Sequence, residues 1–264
     1  MNIKYPKKSL GQNFLKDKNI IDIIVETGDI NTDDIILEVG PGTGNLTEKI
    51  ITKNPKKIFT VEKDIFLANK LNEKFKEKIN LINDDILKVD EKKYSNDPMI
   101  VFGNLPYNIS TQILIKWIRY NDLSNTFKKF ILMFQKEVAD RILAETNSKN
   151  YGRLAVLSSW KLNIKKVIDV SPNSFYPIPK VKSSVLLIKP KSECFNLKSS
   201  RNLEHITNIF FNQRRKMIKK PLNIIFKNIN EVSKKLNINI NDRPQNLSPL
   251  KYLEICKEYE SLNS

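Results

Sequence analysis

The chain has 264 residues, 40% hydrophobic and 28% charged, with a formal net charge of +16. These values describe one large globular domain, or a medium one with a small companion, and exclude a disordered or fibrous chain. Two cysteines (Cys194, Cys256) and one histidine (His205) are too few for a disulfide framework or a Cys/His zinc site, so all three are read as structural or surface residues and no metal is expected.

Residues 1–10 are basic, but no apolar stretch or cleavage pattern follows them, so no secretory signal is expected. No run of 18 apolar residues occurs, so no membrane span is expected either, and the cysteine usage suits a reducing cytoplasm. Ile35–Val39 is a short apolar run ended by glycines, and Lys57–Val61 is a second, ended by Glu62. Ile79–Ile82 is a third, Met99–Phe102 a fourth and Phe130–Phe134 a fifth. Segments of helical period lie between them, such as Leu46–Thr52 and Ile65–Phe75. Strands alternating with helices predict an α/β fold, a mostly parallel sheet covered on both faces, with ligands outside the carboxyl ends of the strands. Tyr176-Pro177-Ile178-Pro179 is not regular helix, because each proline restrains its predecessor. Val181–Ile188 then reads as a strand, able to pair antiparallel with one near Lys161–Val170 at the sheet's edge. After Pro190 strand signals stop, and Leu203–Phe211, Leu222–Ile229, Glu231–Leu236 and Pro249–Tyr259 read as helices. A boundary near residue 190 divides the chain into 1–190 and 191–264.

The charge needs a bland reading first. Lysine supplies 38 of the 45 basic residues, and asparagine reaches 31, as A- and T-rich codon usage alone would produce. Codon bias does not cluster charge, however, and residues 214–220 hold five basic side chains in seven. Residues 191–264 carry 14 basic and 7 acidic side chains. That clustering points to nucleic acid, with Arg214, Arg215, Lys216, Lys219 and Lys220 tracking phosphates.

Two motifs carry chemistry. In Glu38-Val39-Gly40-Pro41-Gly42-Thr43-Gly44, glycines between a strand and a helix let a ligand approach the backbone. The spacing is neither the dinucleotide fingerprint nor a P-loop. Glu62 ends the next strand, where a carboxylate accepts both hydroxyls of a ribose, and Asp85 ends the third, within reach of an adenine amine. Together they describe a nucleoside pocket. The second motif is Gly103-Asn104-Leu105-Pro106-Tyr107-Asn108-Ile109-Ser110. The Asn104 side-chain oxygen and the Leu105 carbonyl are two acceptors for one exocyclic amine. Pro106 fixes the turn and removes a competing donor. Tyr107 offers a ring for base stacking, worth about 1–3 kcal/mol.

These residues resemble the motifs of class I S-adenosylmethionine-dependent methyltransferases, and more narrowly those of the ribosomal RNA adenine dimethyltransferases of small-subunit type. Lys8-Ser9-Leu10-Gly11-Gln12-Asn13-Phe14-Leu15, Gln135–Val138, Tyr151–Leu154, Phe175–Val181 and Phe211–Lys216 are similar to further motifs of that family, and a weaker likeness continues through Arg243–Leu253. The resemblance covers nearly the whole chain. It implies a Rossmann-like seven-stranded sheet with a small C-terminal helical RNA-binding domain. It implies S-adenosylmethionine as cofactor and dimethylation of N6 of two adjacent adenosines in the 3′-terminal hairpin of 16S rRNA, during small-subunit maturation. By position, Asn13 and Leu15 would cover the cofactor, Gly40 and Gly42 would lie under its methionine part, Glu62 would hold its ribose, and Asp85 and Ile86 its adenine. Asn104, which would also touch the cofactor, and Leu105 would orient the target amine, and Tyr107 and Phe175 would sandwich the target base. Asn45 departs from the small apolar residue expected after the glycines. The expected setting is a cytoplasmic monomer acting on a pre-30S particle. A large-subunit adenosine methylase, a binding-only assembly factor and a DNA adenine methyltransferase are the competing readings.

Overall fold

A computed structural model describes Pro6 and residues 11–262; Lys8, Ser9 and Leu10 of the N-terminal motif lie outside the described residues. The described chain begins with a two-residue strand, β1 (Phe14–Leu15), and helix α1 (Lys18–Thr27). The Asp17 side chain accepts from the N–H groups of Asn19 and Ile20, satisfying donors that the first helical turn leaves orphaned. Then come β2 (Ile35–Val39), α2 (Asn45–Ile51), β3 (Lys57–Val61), α3 (Ile65–Phe75), β4 (Asn80–Ile82) and β5 (Met99–Asn104). Helices α4 (Ser110–Ile118) and α5 (Leu123–Thr126) lead into β6 (Phe127–Gln135), followed by α6 (Lys136–Ile142) and α7 (Arg153–Lys161). Strands β7 (Leu162–Val170), β8 (Phe175–Tyr176) and β9 (Ser183–Pro190) precede four helices, α8 (Ser200–Phe211), α9 (Lys219–Ile225), α10 (Ile229–Lys235) and α11 (Pro249–Leu262).

Seven strands form one sheet in the order β4-β3-β2-β5-β6-β9-β7. The pairings β2–β3, β2–β5, β3–β4 and β5–β6 are parallel, and β9 runs antiparallel to β6. Every residue of β2 is buried, as expected of a continuous apolar run in a sheet covered on both faces. Ile36, Ile100, Phe102, Ile131 and Met133 of the sheet pack with Ile24, Val25, Ile50, Leu71 and Phe75 of the helices. The two predicted edge strands are realised as β7 and β9, neighbours at the sheet's end. A separate antiparallel ladder pairs β1 with β8, Phe14 opposite Tyr176 and Leu15 opposite Phe175.

The chain divides into two compact units, one of residues up to Ala139 with Asn163–Pro190, the other of Asp140–Leu162 with residues from Lys191 on. The division expected near residue 190 has a counterpart after Pro190, and the excursion at 140–162 departs from a single boundary. Its cause is α7, whose buried Ala155, Val156, Leu157 and Trp160 find their partners on α8 and α11. Within this helical unit Tyr151 Oη donates to Leu247 O at 2.9 Å and Tyr252 Oη to Pro244 O at 2.7 Å, so both buried phenols are satisfied. The buried Glu260 carboxylate accepts from Lys198 N, Ser199 N and Asn202 Nδ2, and so holds the start of α8. No helix among the described residues is long and apolar enough to cross a membrane.

Candidate active site

One cavity opens at the carboxyl ends of the parallel strands. It is lined by Asn13, Leu15, Gly40, Gly42, Glu62, Asp85, Ile86 and Asn104–Tyr107, so the expected cofactor and amine residues meet in one place. The glycine turn explains part of this. Gly40 (φ 69°) and Gly42 (φ 57°) are left-handed, a backbone region open to glycine and strained for other residues. A β-carbon on Gly42 would fall 2.7 Å from a ring carbon of Phe14, so only hydrogen leaves room for the N-terminal segment to close over the turn. A β-carbon on Gly40 would stand 3.8 Å from Asn104 O, in the gap between the two motifs.

Glu62 accepts from Gly42 N at 3.2 Å and Asp64 N at 2.9 Å, so strand β3 and the glycine turn share one carboxylate. Burial raises its pKa, and the two N–H donors work against that rise. Glu38, at 1% exposure, is the residue for which the sequence reading assigned no role. It lines the same cavity. Its Oε2 and the Thr47 hydroxyl are buried without a hydrogen bond of proper geometry. Burial lifts the Glu38 carboxyl to about 7, the nearby Thr47 lowers it, and the charge of Glu62 raises it further. Asp85 stands otherwise. Burial would raise it, but Lys63, bonded at 2.8 Å, and Leu87 N hold it below the ordinary range.

With Asp84, four carboxylates and one lysine are the charged side chains lining the cavity among the described residues, in a protein of net charge +16. That lining suits a cationic ligand. S-adenosylmethionine carries a sulfonium and an ammonium beside an adenosine, and the glycine cradle with the orphaned Glu38 oxygen fits such a group.

At the end of β5, the Asn104 amide Nδ2 donates to Asn13 O at 2.7 Å. The amide is thereby oriented by the N-terminal segment, and its Oδ1 carries no hydrogen bond to the described residues. Tyr107 is half-buried, and its hydroxyl shares a 2.6 Å hydrogen bond with Ser183 Oγ, which fixes the ring. Asn45, the departure from the expected pattern, has a positive role. Its Nδ2 donates to Leu15 O at 2.8 Å and so pins β1 over the glycine turn.

Two expectations need correction. Phe175 is 0% exposed and packs in the core with Leu15, Met133, Val170 and Val185. A fully enclosed ring has no free face, so it is not a stacking platform in this arrangement; opposite Leu15 in the ladder, it anchors the N-terminal cover. Arg214 likewise differs from its neighbours. Its Nη2 donates to Ser148 O at 3.3 Å and Lys149 O at 2.5 Å, so its guanidinium holds a loop. Of the rest of the basic run, Arg215 and Lys216 lie in the turn between α8 and α9 and Lys219 and Lys220 open α9, all four exposed around one concavity. Arg243, distant in sequence and not singled out by it, completes that cluster.

Comparison with known proteins follows the same lines. The family model described as Ribosomal RNA adenine dimethylase matches residues 3–261. A "Ribosomal RNA small subunit methyltransferase A" of Pelagibacter ubique (strain HTCC1062) is 57% identical over 256 residues, 97% of each chain. Its namesake in Ehrlichia canis (strain Jake) is 41% identical over 261 residues, covering 97% of this chain and 98% of its own. The crystal structure of a dimethyladenosine transferase from Plasmodium falciparum is 25% identical, with a TM-score of 0.79 over 95% of this chain and 98% of that one. The sheet order, the seven strands and these likenesses make the fold that of a class I methyltransferase, and the chain belongs to the ribosomal RNA adenine dimethylase family.

Proposed function

We propose that this protein transfers methyl groups from S-adenosylmethionine to N6 of two adjacent adenosines in the 3′-terminal hairpin of small-subunit rRNA, acting as a cytoplasmic monomer on a pre-30S particle. The observation that carries the proposal is the Asn104 amide, held by Asn13 O at the mouth of an acid-lined cavity. When bound, S-adenosylmethionine supplies an electrophilic methyl group on a positively charged sulfur. Glu38, Glu62 and Asp85 bind and orient it, the glycine turn admits it, and β1 with Asn13 closes over it.

Adenine N6 is a weak nucleophile, because its lone pair is delocalised into the ring. Asn104 Oδ1 and Leu105 O accept its two hydrogens and favour a pyramidal nitrogen with its lone pair turned away from them. They stabilise positive charge on that nitrogen as the new N–C bond forms and the S–C bond breaks. The methylated nitrogen is acidic and releases its proton to water, so no strong base is required. Tyr107, braced by Ser183, offers the ring against which a flipped base lies. Arg215, Lys216, Lys219, Lys220 and Arg243 are assigned to phosphates.

Labelled cofactor with unmethylated small and large subunits, followed by mass spectrometry of nuclease fragments, tests this reading. Dimethyladenosine at two adjacent small-subunit sites is expected; label confined to the large subunit overturns the substrate. Asn104→Ala should lower the methylation rate by about 10²-fold or more while cofactor affinity stays within a few-fold. Equal loss of both would place Asn104 in cofactor binding alone.

A further inference from the structure

Between β4 and β5 the chain makes a tight turn, in which Lys88 N and Val89 N both donate to Asp85 O. Asp85 and Ile86 of this turn line the cavity. Beyond it lies Glu91, fully buried and yet a carboxylate. Its oxygens accept from Lys116 Nζ at 2.7 and 2.8 Å, from Trp117 Nε1 at 2.6 Å and from Tyr120 Oη. Lys116 Nζ also donates to Ile86 O at 2.7 Å and to Val89 O. The ammonium thus spends its hydrogens on two turn carbonyls and one carboxylate, in a position where its side chain is 18% exposed.

Lys116 and Trp117 belong to α4. That helix starts at Ser110, whose hydroxyl donates to Tyr107 O, three residues after the amine motif ends its turn. From Ser110 to Lys116 is about 9 Å of helix axis. One rigid element therefore has the methyl-acceptor loop at one end and the carbonyls of the Asp85–Val89 turn at the other.

We propose that Lys116, with Glu91 as its counter-ion, is a positioning residue for cofactor recognition: it locks the turn that presents Asp85 and Ile86 and sets its place relative to the Asn104–Tyr107 loop. The proposal rests on the assignment of Asp85 and Ile86 to the cofactor's adenine. The need for an ion pair here follows from desolvation. Without the ammonium, the buried carboxylate would keep only the neutral donors of Trp117 and Tyr120 and lose its counter-ion, and two buried carbonyls would lose a donor; they would relax toward water, and the turn would move with them. A hydrophobic residue would fill the space as well, but would not define where Ile86 O and Val89 O sit.

Three proteins test this, the wild type, Lys116→Met and Asp85→Ala, each assayed well below its melting temperature. For Lys116→Met, the dissociation constants for S-adenosylmethionine and for 5′-methylthioadenosine, which keeps the adenosine and lacks the amino acid, should both rise about ten-fold or more. KM for the cofactor should rise with them, while kcat at saturation and RNA affinity stay within about three-fold of wild type. A melting temperature that falls with cofactor affinity unchanged overturns the proposal and leaves Lys116 a purely structural residue. Asp85→Ala separates the two layers: if it binds both ligands as wild type does, the adenine assignment fails and the proposal fails with it. Should Lys116→Met not fold, hydrogen exchange on the wild type decides. Binding of 5′-methylthioadenosine should protect 86–91 and 116–120 together, and protection of 86–91 alone overturns the coupling.

Discussion

Glu38 shows how a single buried charge ties stability to ligand binding. Its carboxyl lies near 7 in the folded protein against 4.5 when exposed, so the folded state holds more protons between those values. Its ionisation opposes folding as pH rises through about 7, at a cost of roughly 3 kcal/mol. A cation bound in the cavity favours the ionised form. The affinity for S-adenosylmethionine should therefore fall on the order of ten-fold from pH 8 to pH 5.5. S-adenosylhomocysteine, without the sulfonium charge, should fall less, and Glu38→Gln should flatten the dependence. Calorimetric titration across that range checks it; a pH-independent wild type would remove Glu38 from the site. Sequence alone shows Glu38 as part of a glycine motif but not its fully buried setting, because Thr47 and Glu62 meet it only in the fold.

At the scale of elements, local pattern was legible where burial is continuous. β2 and β3 occupy the predicted 35–39 and 57–61, as strands buried by neighbours on both sides. β6 begins at Phe127, before the predicted Phe130, because Lys128 and Lys129 interrupt the apolar run; Lys129 is nonetheless buried, with its ammonium 3.9 Å from Asp29. The helix read over Leu222–Ile229 is α9, which starts at Lys219 and stops at Ile225; the helix read over Glu231–Leu236 is α10, which opens at Ile229, where Asn228 caps it by accepting from Glu231 N. The β1–β8 ladder joins segments some 160 residues apart, a pairing that no local period encodes. The turn between α8 and α9 divides its arginines by task. Arg214→Ala should cost about 1–3 kcal/mol of stability by stripping Ser148 O and Lys149 O of a donor, with RNA affinity of the folded protein little changed. Arg215→Ala should do the reverse. Thermal melts beside RNA titrations distinguish them, and identical profiles would refute the division.

For the whole molecule, charge is the governing property. RNA binding should weaken as salt rises, with a log–log slope of roughly −3 to −5 if Arg215, Lys216, Lys219, Lys220 and Arg243 each meet one phosphate. Neutralising one of them should reduce that slope by about 1, and an affinity indifferent to salt would contradict the assignment. The fold class was legible from strand–helix alternation, and the family from motifs spread along the chain. The division into units was less so: α7 is apolar enough to belong to either, and only its contacts with α8 and α11 settle where it packs.

A pocket that takes S-adenosylmethionine must contend with ATP and other nucleotides, which share its adenosine. Adenosine recognition alone would admit them. Among the described residues four carboxylates against one lysine line the cavity, a balance that disfavours a phosphate chain by repulsion. The sign of the lining thus favours the cationic cofactor over anionic compounds that carry the same nucleoside.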